Sequence, residues 1–483
     1  YYEIMNFGSN IKNILIYITF LIILSFGLLF NRLNFAPLNI DDCCFIQIAK
    51  EMVLTKEYMT YKLGGKIFFD NKPPMFLWIL AISGKIFGFN NFSMRLPSAI
   101  FGLISVLCLF IFISKFFNNY TLGFLTSFIF LFTQQVLYYS RSATMEILYS
   151  LFIFLSLVSF WHGYYYNKKF GFYLTGIFVG FAVMTRNIVG FLVYGVIFVY
   201  LLIVRENRVL KNLHFWLGIF LSILISLPWH LYMLVNFGKE FSNAYFNVII
   251  RYFFKEKKLW YEYIRKILEN YWPWLPFLIM GIYNEIKNVF FNKQRSELKQ
   301  FSTLMLIFTI ILFLLLNISK YKFPQHLMPL YFPFAIFSAK YLLKLDIVRN
   351  YIFTKIFIFM GVLYVVISIF YPILPLTLDS QEYKNTIKMF EYIKSIKDDI
   401  YVLEDEYYWH YHNGALVYAD KKVIAVPKNI SKFEKGYLLL KKKVAGRYEN
   451  FKEYYKVYET LDDLLLYNNN KNLAYTQQQL SLR

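Results

Sequence analysis

Apolar runs of membrane-crossing length recur along most of this chain, and they leave it few folds to adopt. They fall at about 11–30, 96–114, 120–138, 146–166, 170–184, 188–204, 213–235, 271–290, 301–318, 325–343 and 352–371. A spanning helix needs ~20 apolar residues, and in lipid every backbone N–H and C=O must find its partner within the protein. The composition agrees: 58% of residues are hydrophobic and 22% aromatic, against roughly 45–50% apolar in soluble domains. The expected fold class is a polytopic α-helical membrane protein with about 11 to 13 spans, followed by a small α/β domain. The first apolar run lacks a small-residue cleavage site and reads as a retained helix.

Net charge is +21. In a soluble protein that would point to nucleic acid. Here Lys and Arg gather in the loops between spans, where they set orientation and meet anionic headgroups. Leaving the ambiguous run 74–90 out of the membrane gives about eleven spans, with the positive loops inside. It puts Asp41, Asp42, Arg141, Glu146, Arg186, His230, Lys320 and Lys322 together on the outer side. The run 74–90 then reads as an interfacial helix, and 236–270 as an amphipathic outer loop. From about residue 376 the composition becomes charged, with short apolar runs at 400–403, 416–418 and 437–440 that read as strands. Helical patterns lie at 383–397 and 450–466. The expected division is a transmembrane domain, 1–375, whose loops 31–95 and 236–270 cover the site, and a soluble outer domain, 376–483. The three cysteines, Cys43, Cys44 and Cys108, imply no disulfide framework.

The chemistry-bearing residues sit beside the spans. Asp41-Asp42 supply carboxylates that can take a proton from an acceptor, or they can cap the helix that follows. Lys72, ahead of Pro73-Pro74, offers a point charge suited to phosphate, or it can snorkel to headgroups. Glu146, near the start of a span and five residues from Arg141, is an expensive place for an acid, which favours a functional reading. Arg186, Lys320 and Lys322 are outer-side cations, and Arg251 lies in the outer loop. His230 and His326 are additional candidates, although a lone histidine is more often a structural hydrogen-bonder. His410 and His412 lie in a strand-like run without a third metal ligand. No phosphate-binding glycine loop or H-E-x-x-H pattern occurs.

The ordered set resembles a known family. Asp41-Asp42 followed by Phe45 to Met52, Lys72-Pro73-Pro74, Arg95-Leu96-Pro97-Ser98, Arg141 with Glu146, Val183-Met184-Thr185-Arg186, Pro228-Trp229, Arg251-Tyr252-Phe253 and Ser319 to Pro329 resemble the GT-C glycosyltransferases. The nearest branch is the aminoarabinose (lipid A) transferases and the protein O-mannosyltransferases. The resemblance implies an inverting enzyme of the bacterial inner membrane, active on the periplasmic side in cell-envelope modification. It would move one sugar from a polyprenyl phosphate to a lipid, glycan or protein acceptor, with no nucleic-acid partner. Asp41 matches the proposed base, with Asp42 and Glu146 as further catalytic acids. Lys72, Arg251 and Lys322 match donor-phosphate cations, joined here by Arg141, Arg186 and Lys320. No cofactor is required, and a divalent metal is compatible. The chain departs from the family at Asp42, Glu146, Arg186-Asn187 and His326, and at Asn71, where the family's acid is missing and a metal site is disfavoured. A flippase for lipid-linked sugars and a non-catalytic GT-C-like scaffold protein are the alternative readings.

Overall fold

The computed structural model describes residues 2–34, 40–70, 72–254, 261–291, 297–320, 322–345, 359, 361–366, 380–404, 408–427, 435–445 and 454–469; side chains are described in most of these. The chain is mostly helical. In order come α1 (Tyr2–Ser25), α2 (Ile40–Thr55), the short strands β1 (Lys62–Leu63) and β2 (Lys66–Ile67), α3 (Met75–Phe87), α4 (Asn91–Phe117), α5 (Tyr120–Leu131) and α6 (Gln134–Tyr139). Next are α7 (Glu146–Tyr165), α8 (Lys169–Thr185), α9 (Leu192–Val204), α10 (Leu213–Phe254), α11 (Glu262–Asn270), α12 (Leu275–Phe291), α13 (Glu297–Ile318) and α14 (Tyr331–Lys344).

Four helices among the described residues are long and apolar enough to cross a bilayer by themselves: Asn91–Phe117, Glu146–Tyr165, Leu213–Asn247 and Gln300–Ile318. Shorter apolar helices precede and separate them. The 13 residues of α3 rise only ~20 Å, well short of a ~30 Å hydrocarbon core. Phe76, Leu77 and Leu80 are buried, whereas Ile82, Ile86 and Phe87 are exposed, the distribution of a helix lying along a surface. The expected run 352–371 lies mostly outside the described residues.

Two expected segments differ. The run 120–138 is broken at Phe132-Thr133, where Thr133 adopts extended backbone (φ −79°, ψ 125°). The expected outer loop 236–270 is helical through Phe254, because α10 continues past a kink at Gly238 (φ 44°). Glycine alone makes that bend inexpensive. Backbones meet most closely where α8 packs between α7 and α10. A Cβ on Gly176 would collide with the Gly218 carbonyl, so small residues let these helices touch.

Arginines close the end of α1. Its last turn is a π-turn, Phe26–Phe30, and the final carbonyls of a helix run out of intrahelical donors. Arg141 Nη1 donates to Leu28 O and Nη2 to Asn31 O, both at 2.6 Å. Arg95 Nη1 donates to Leu33 O at 2.8 Å. Buried carbonyls without donors cost ~1–3 kcal/mol each, so both guanidiniums hold the helix end. Arg141→Met is therefore expected to cost about 2–5 kcal/mol, read in thermal unfolding. A normal midpoint with loss of donor affinity alone would show that Arg141 serves the ligand instead.

The C-terminal part contains α15 (Ser380–Lys394), β3 (Ile400–Leu403), α16 (Tyr408–Gly414), β4 (Ile424–Val426), β5 (Lys435–Lys441), α17 (Lys442–Ala445), β6 (Tyr455–Glu459) and β7 (Asp463–Asn469). The sheet order is β4-β3-β5-β7-β6. β3 runs parallel to β4 and β5, while β7 is antiparallel to β5 and β6. The expected helix over 450–466 is instead the β6–β7 pair. Leu465 packs under one face and Leu466 under the other, the pattern of a strand buried on both sides. The expected strand 416–418 is a π-turn, Ala415–Ala419, and His410 and His412 fall in α16. This turn seats the C-terminal part on the first domain. Leu416 joins the apolar cluster built by α2, α3 and Trp229, and Lys50 pairs with Asp420 at 3.1 Å.

Candidate active site

A cavity of about 330 Å³ lies among α7, α8, α9, α13 and the 3₁₀ segment Pro324–Leu330, with Lys72 also in its lining. Its polar lining comprises Lys72, Tyr149, Arg186, Asn187, Ser319, Gln325 and His326, while Leu192, Leu312, Leu315 and Leu316 form an apolar wall.

Local backbone chemistry sets each polar group. Pro73 bars Lys72 from helical conformation, and α3 begins just beyond, at Met75. The Lys72 ammonium lies 3.6 Å from Asp70 Oδ2 and 4.7 Å from the centre of the Phe45 ring. Arg186 caps the C-terminus of α8, with its N–H on Ala182 O at 3.1 Å, where a cation suits the helix dipole. Asn187 then turns the chain, its side chain accepting from Val189 N at 3.0 Å to open a 3₁₀ helix. Glu146 begins α7 itself. It meets Arg186 across the helix pair, with Nη1 to Oε1 at 3.1 Å. The side chains are 17% and 7% exposed, so the pair sits largely out of water. Glu146 Oε2 is buried and finds no hydrogen-bond partner among the described residues. Arg186 also lies 5.5 Å from the Tyr149 ring centre.

The cavity thus brings together Lys72, Arg186 and His326, with Glu146 directly behind Arg186. His326 is held by Tyr263, Oη to Nδ1 at 3.0 Å. The other candidates lie elsewhere. Arg141 is engaged at the end of α1. Lys322, 3% exposed, donates to Asn317 O and Ser319 O at 2.9 Å and closes the C-terminus of α13. His230 bridges Ser226 O at 2.7 Å and Tyr245 Oη at 3.0 Å. Because the carbonyl only accepts, Nδ1 carries the proton and Nε2 accepts from the tyrosine. Lys320 is exposed beside Ser319. Asp42 is 1% exposed in the first turn of α2. Its carboxylate, after burial itself, holds the neighbouring Cys43 thiol well above its ordinary range. The side chains of Asp41 and Arg251 lie outside the described residues, although both backbones are helical.

Tyr149, Gln325 and Asp70 were not singled out as candidates from the sequence. Tyr149 follows Glu146 by three residues, the spacing that shares a helix face. Gln325 lies within the Ser319–Pro329 motif and accepts from Tyr139 Oη at 3.3 Å. Among the described residues no group of three His, Cys, Asp or Glu gathers to hold a metal, and Asp70 is already paired with Lys72.

The helical bundle with its appended mixed sheet has the GT-C glycosyltransferase fold of the ArnT type, as the sequence resemblance implied. The crystal structure of ArnT from Cupriavidus metallidurans in the apo state matches with a TM-score of 0.73 at 14% identity, over 95% of this chain and 98% of that one. The same protein bound to undecaprenyl phosphate matches with a TM-score of 0.70. Residues 71–232 match the family model described as dolichyl-phosphate-mannose-protein mannosyltransferase. An undecaprenyl phosphate-alpha-4-amino-4-deoxy-L-arabinose arabinosyl transferase of Wigglesworthia glossinidia brevipalpis is 28% identical over 327 residues, 64% of this chain and 55% of that relative. An uncharacterized protein of Aquifex aeolicus is 28% identical over 305 residues, 62% of this chain and 59% of its own length. The match therefore spans little more than half the length of these curated relatives.

Proposed function

We propose that this chain is an integral-membrane glycosyltransferase that takes one sugar from a polyprenyl-phosphate donor and passes it to a lipid, glycan or protein acceptor on the outer face of the membrane. The observation that carries this reading is the cavity, which sets two cations, Lys72 and Arg186, against a wall of leucines. A lipid-linked phosphate has those two needs, charge neutralisation at one end and apolar contact at the other. The fold match to a protein bound to undecaprenyl phosphate supports the same donor class.

In this mechanism the acceptor oxygen bonds to the anomeric carbon as the bond from that carbon to the phosphate oxygen breaks. The bonding electrons leave with the phosphate, and the anomeric centre inverts. The acceptor's proton passes to a carboxylate, a role that falls to Asp41. Lys72 and Arg186 stabilise the charge that grows on the leaving phosphate, which is worth most in a site that excludes water. Glu146 holds Arg186 in place, and its second oxygen is available to a sugar hydroxyl or amine.

The test uses purified protein with an undecaprenyl-phosphate-linked sugar and an envelope extract as acceptor. Transfer releases free undecaprenyl phosphate and adds one sugar mass to the acceptor, which mass spectrometry of a deletion strain identifies independently. Lys72→Ala is expected to slow transfer at low donor concentration by about 10- to 100-fold, the worth of a charge-assisted hydrogen bond. A flippase or a scaffold would release no undecaprenyl phosphate, and that result would overturn the proposal.

A further inference from the structure

Lys72 stands in a bend between a hairpin and a helix, and two buried residues fix that bend from the far side. Tyr61, 1% exposed, donates its hydroxyl to the Lys72 carbonyl at 2.6 Å. Its ring stacks on Trp229 at 6.1 Å, and the Trp229 indole N–H donates to Met59 O at 3.0 Å. Tyr61 O in turn accepts from Phe68 N at 2.9 Å, closing the hairpin whose strands pair Lys62 with Ile67 and Leu63 with Lys66. The two-residue turn, Gly64-Gly65, has φ of +65° and +80°, a conformation that suits glycine. Both glycine N–H groups point onto one carboxylate: Gly64 N to Glu51 Oε1 at 2.7 Å and Gly65 N to Oε2 at 2.9 Å. Gln47 Nε2 adds a further bond to Oε1 at 2.8 Å.

We infer that Tyr61 and Glu51 are positioning residues of the donor site: Glu51 anchors the hairpin turn to α2, and Tyr61 transmits that anchorage to the backbone of Lys72, setting how far its ammonium reaches into the cavity. Neither residue lines the cavity. This inference rests on the reading of Lys72 as a phosphate-holding group, so the test separates the two.

Affinity for undecaprenyl phosphate is measured on the full chain in nanodiscs for the parent protein, Tyr61→Phe, Lys72→Ala and the double variant. Tyr61→Phe keeps the ring and its stacking and removes only the hydroxyl. It is expected to weaken binding by about 3- to 10-fold, the worth of one hydrogen bond, and by less than about twofold when Lys72 is already alanine. Glu51→Gln is expected to follow the same pattern. Equal weakening in both backgrounds would mean a general loss of structure and overturn the positioning role, as would no weakening in the parent. If Lys72→Ala itself binds normally, the phosphate reading of Lys72 fails, and the positioning role falls with it.

Discussion

Arg186→Gln is expected to lower sugar transfer by about 10²- to 10³-fold, the usual cost of removing a group aimed at developing charge, and to destabilise the protein as well. Glu146 is the reason for the second effect. Its carboxylate is 7% exposed and bonded to Arg186 at 3.1 Å, and the variant leaves that buried group without its cationic partner. Losing one member of such a buried pair costs ~3–5 kcal/mol. The double variant Arg186→Gln/Glu146→Gln removes both charges and is expected to recover most of the thermal stability, since neutral replacements of buried pairs are often tolerated. Transfer should not recover with it, because the phosphate still lacks its cation. Rescue of both stability and transfer by the double variant would make the pair purely structural.

The second large effect lies in the C-terminal sheet. Lys441 and Asp463 face each other across β5 and β7 at 2.9 Å, 1% and 0% exposed. The Tyr411 hydroxyl donates to Asp463 Oδ1 at 2.8 Å, so the carboxylate also ties α16 to the sheet. Asp463→Asn leaves the Lys441 ammonium buried without its counter-charge and is expected to cost ~3–5 kcal/mol. Limited proteolysis and thermal unfolding of the full chain would show it, with cleavage entering first between β5 and β7. Lys441→Met/Asp463→Leu should restore protease resistance. Cleavage of Asp463→Asn no faster than the parent would mean that apolar packing of Leu439 and Leu465 holds the sheet alone. Because Leu416 of this part packs into the cluster of α2 and α3, loss of the sheet is also expected to loosen the hairpin that leads to Lys72.

Three conspicuous arginines, at 95, 141 and 186, do two kinds of work. Arg95 and Arg141 supply donors to carbonyls left open at the end of α1. Arg186 faces a cavity with one carboxylate as partner. Nothing in the local sequence separates them, since each stands beside an apolar helix. The same holds for Lys72, directly before a proline, and Lys322, two residues before one, of which one lines the cavity and the other closes α13. Neither Glu51 nor Tyr61 stood among the candidate site residues. A carboxylate four residues after a glutamine and a tyrosine before a Lys-Leu-Gly-Gly turn are unremarkable until the hairpin folds back on α2.

Hydropathy is written along the chain, one run at a time, so the sequence by itself determined that this is a bundle of membrane helices with a charged C-terminal domain. The ordered motifs likewise pointed to the GT-C fold, because each is a short local string. Partnership is not local. Arg141 meets Leu28 across 113 positions, Arg186 meets Glu146 across 40, and Tyr61 meets Trp229 after the intervening helices α3 to α9. Which cation serves a buried carbonyl and which faces a cavity follows from where unsatisfied polar groups end up in a low-dielectric interior, and only the tertiary structure decides that.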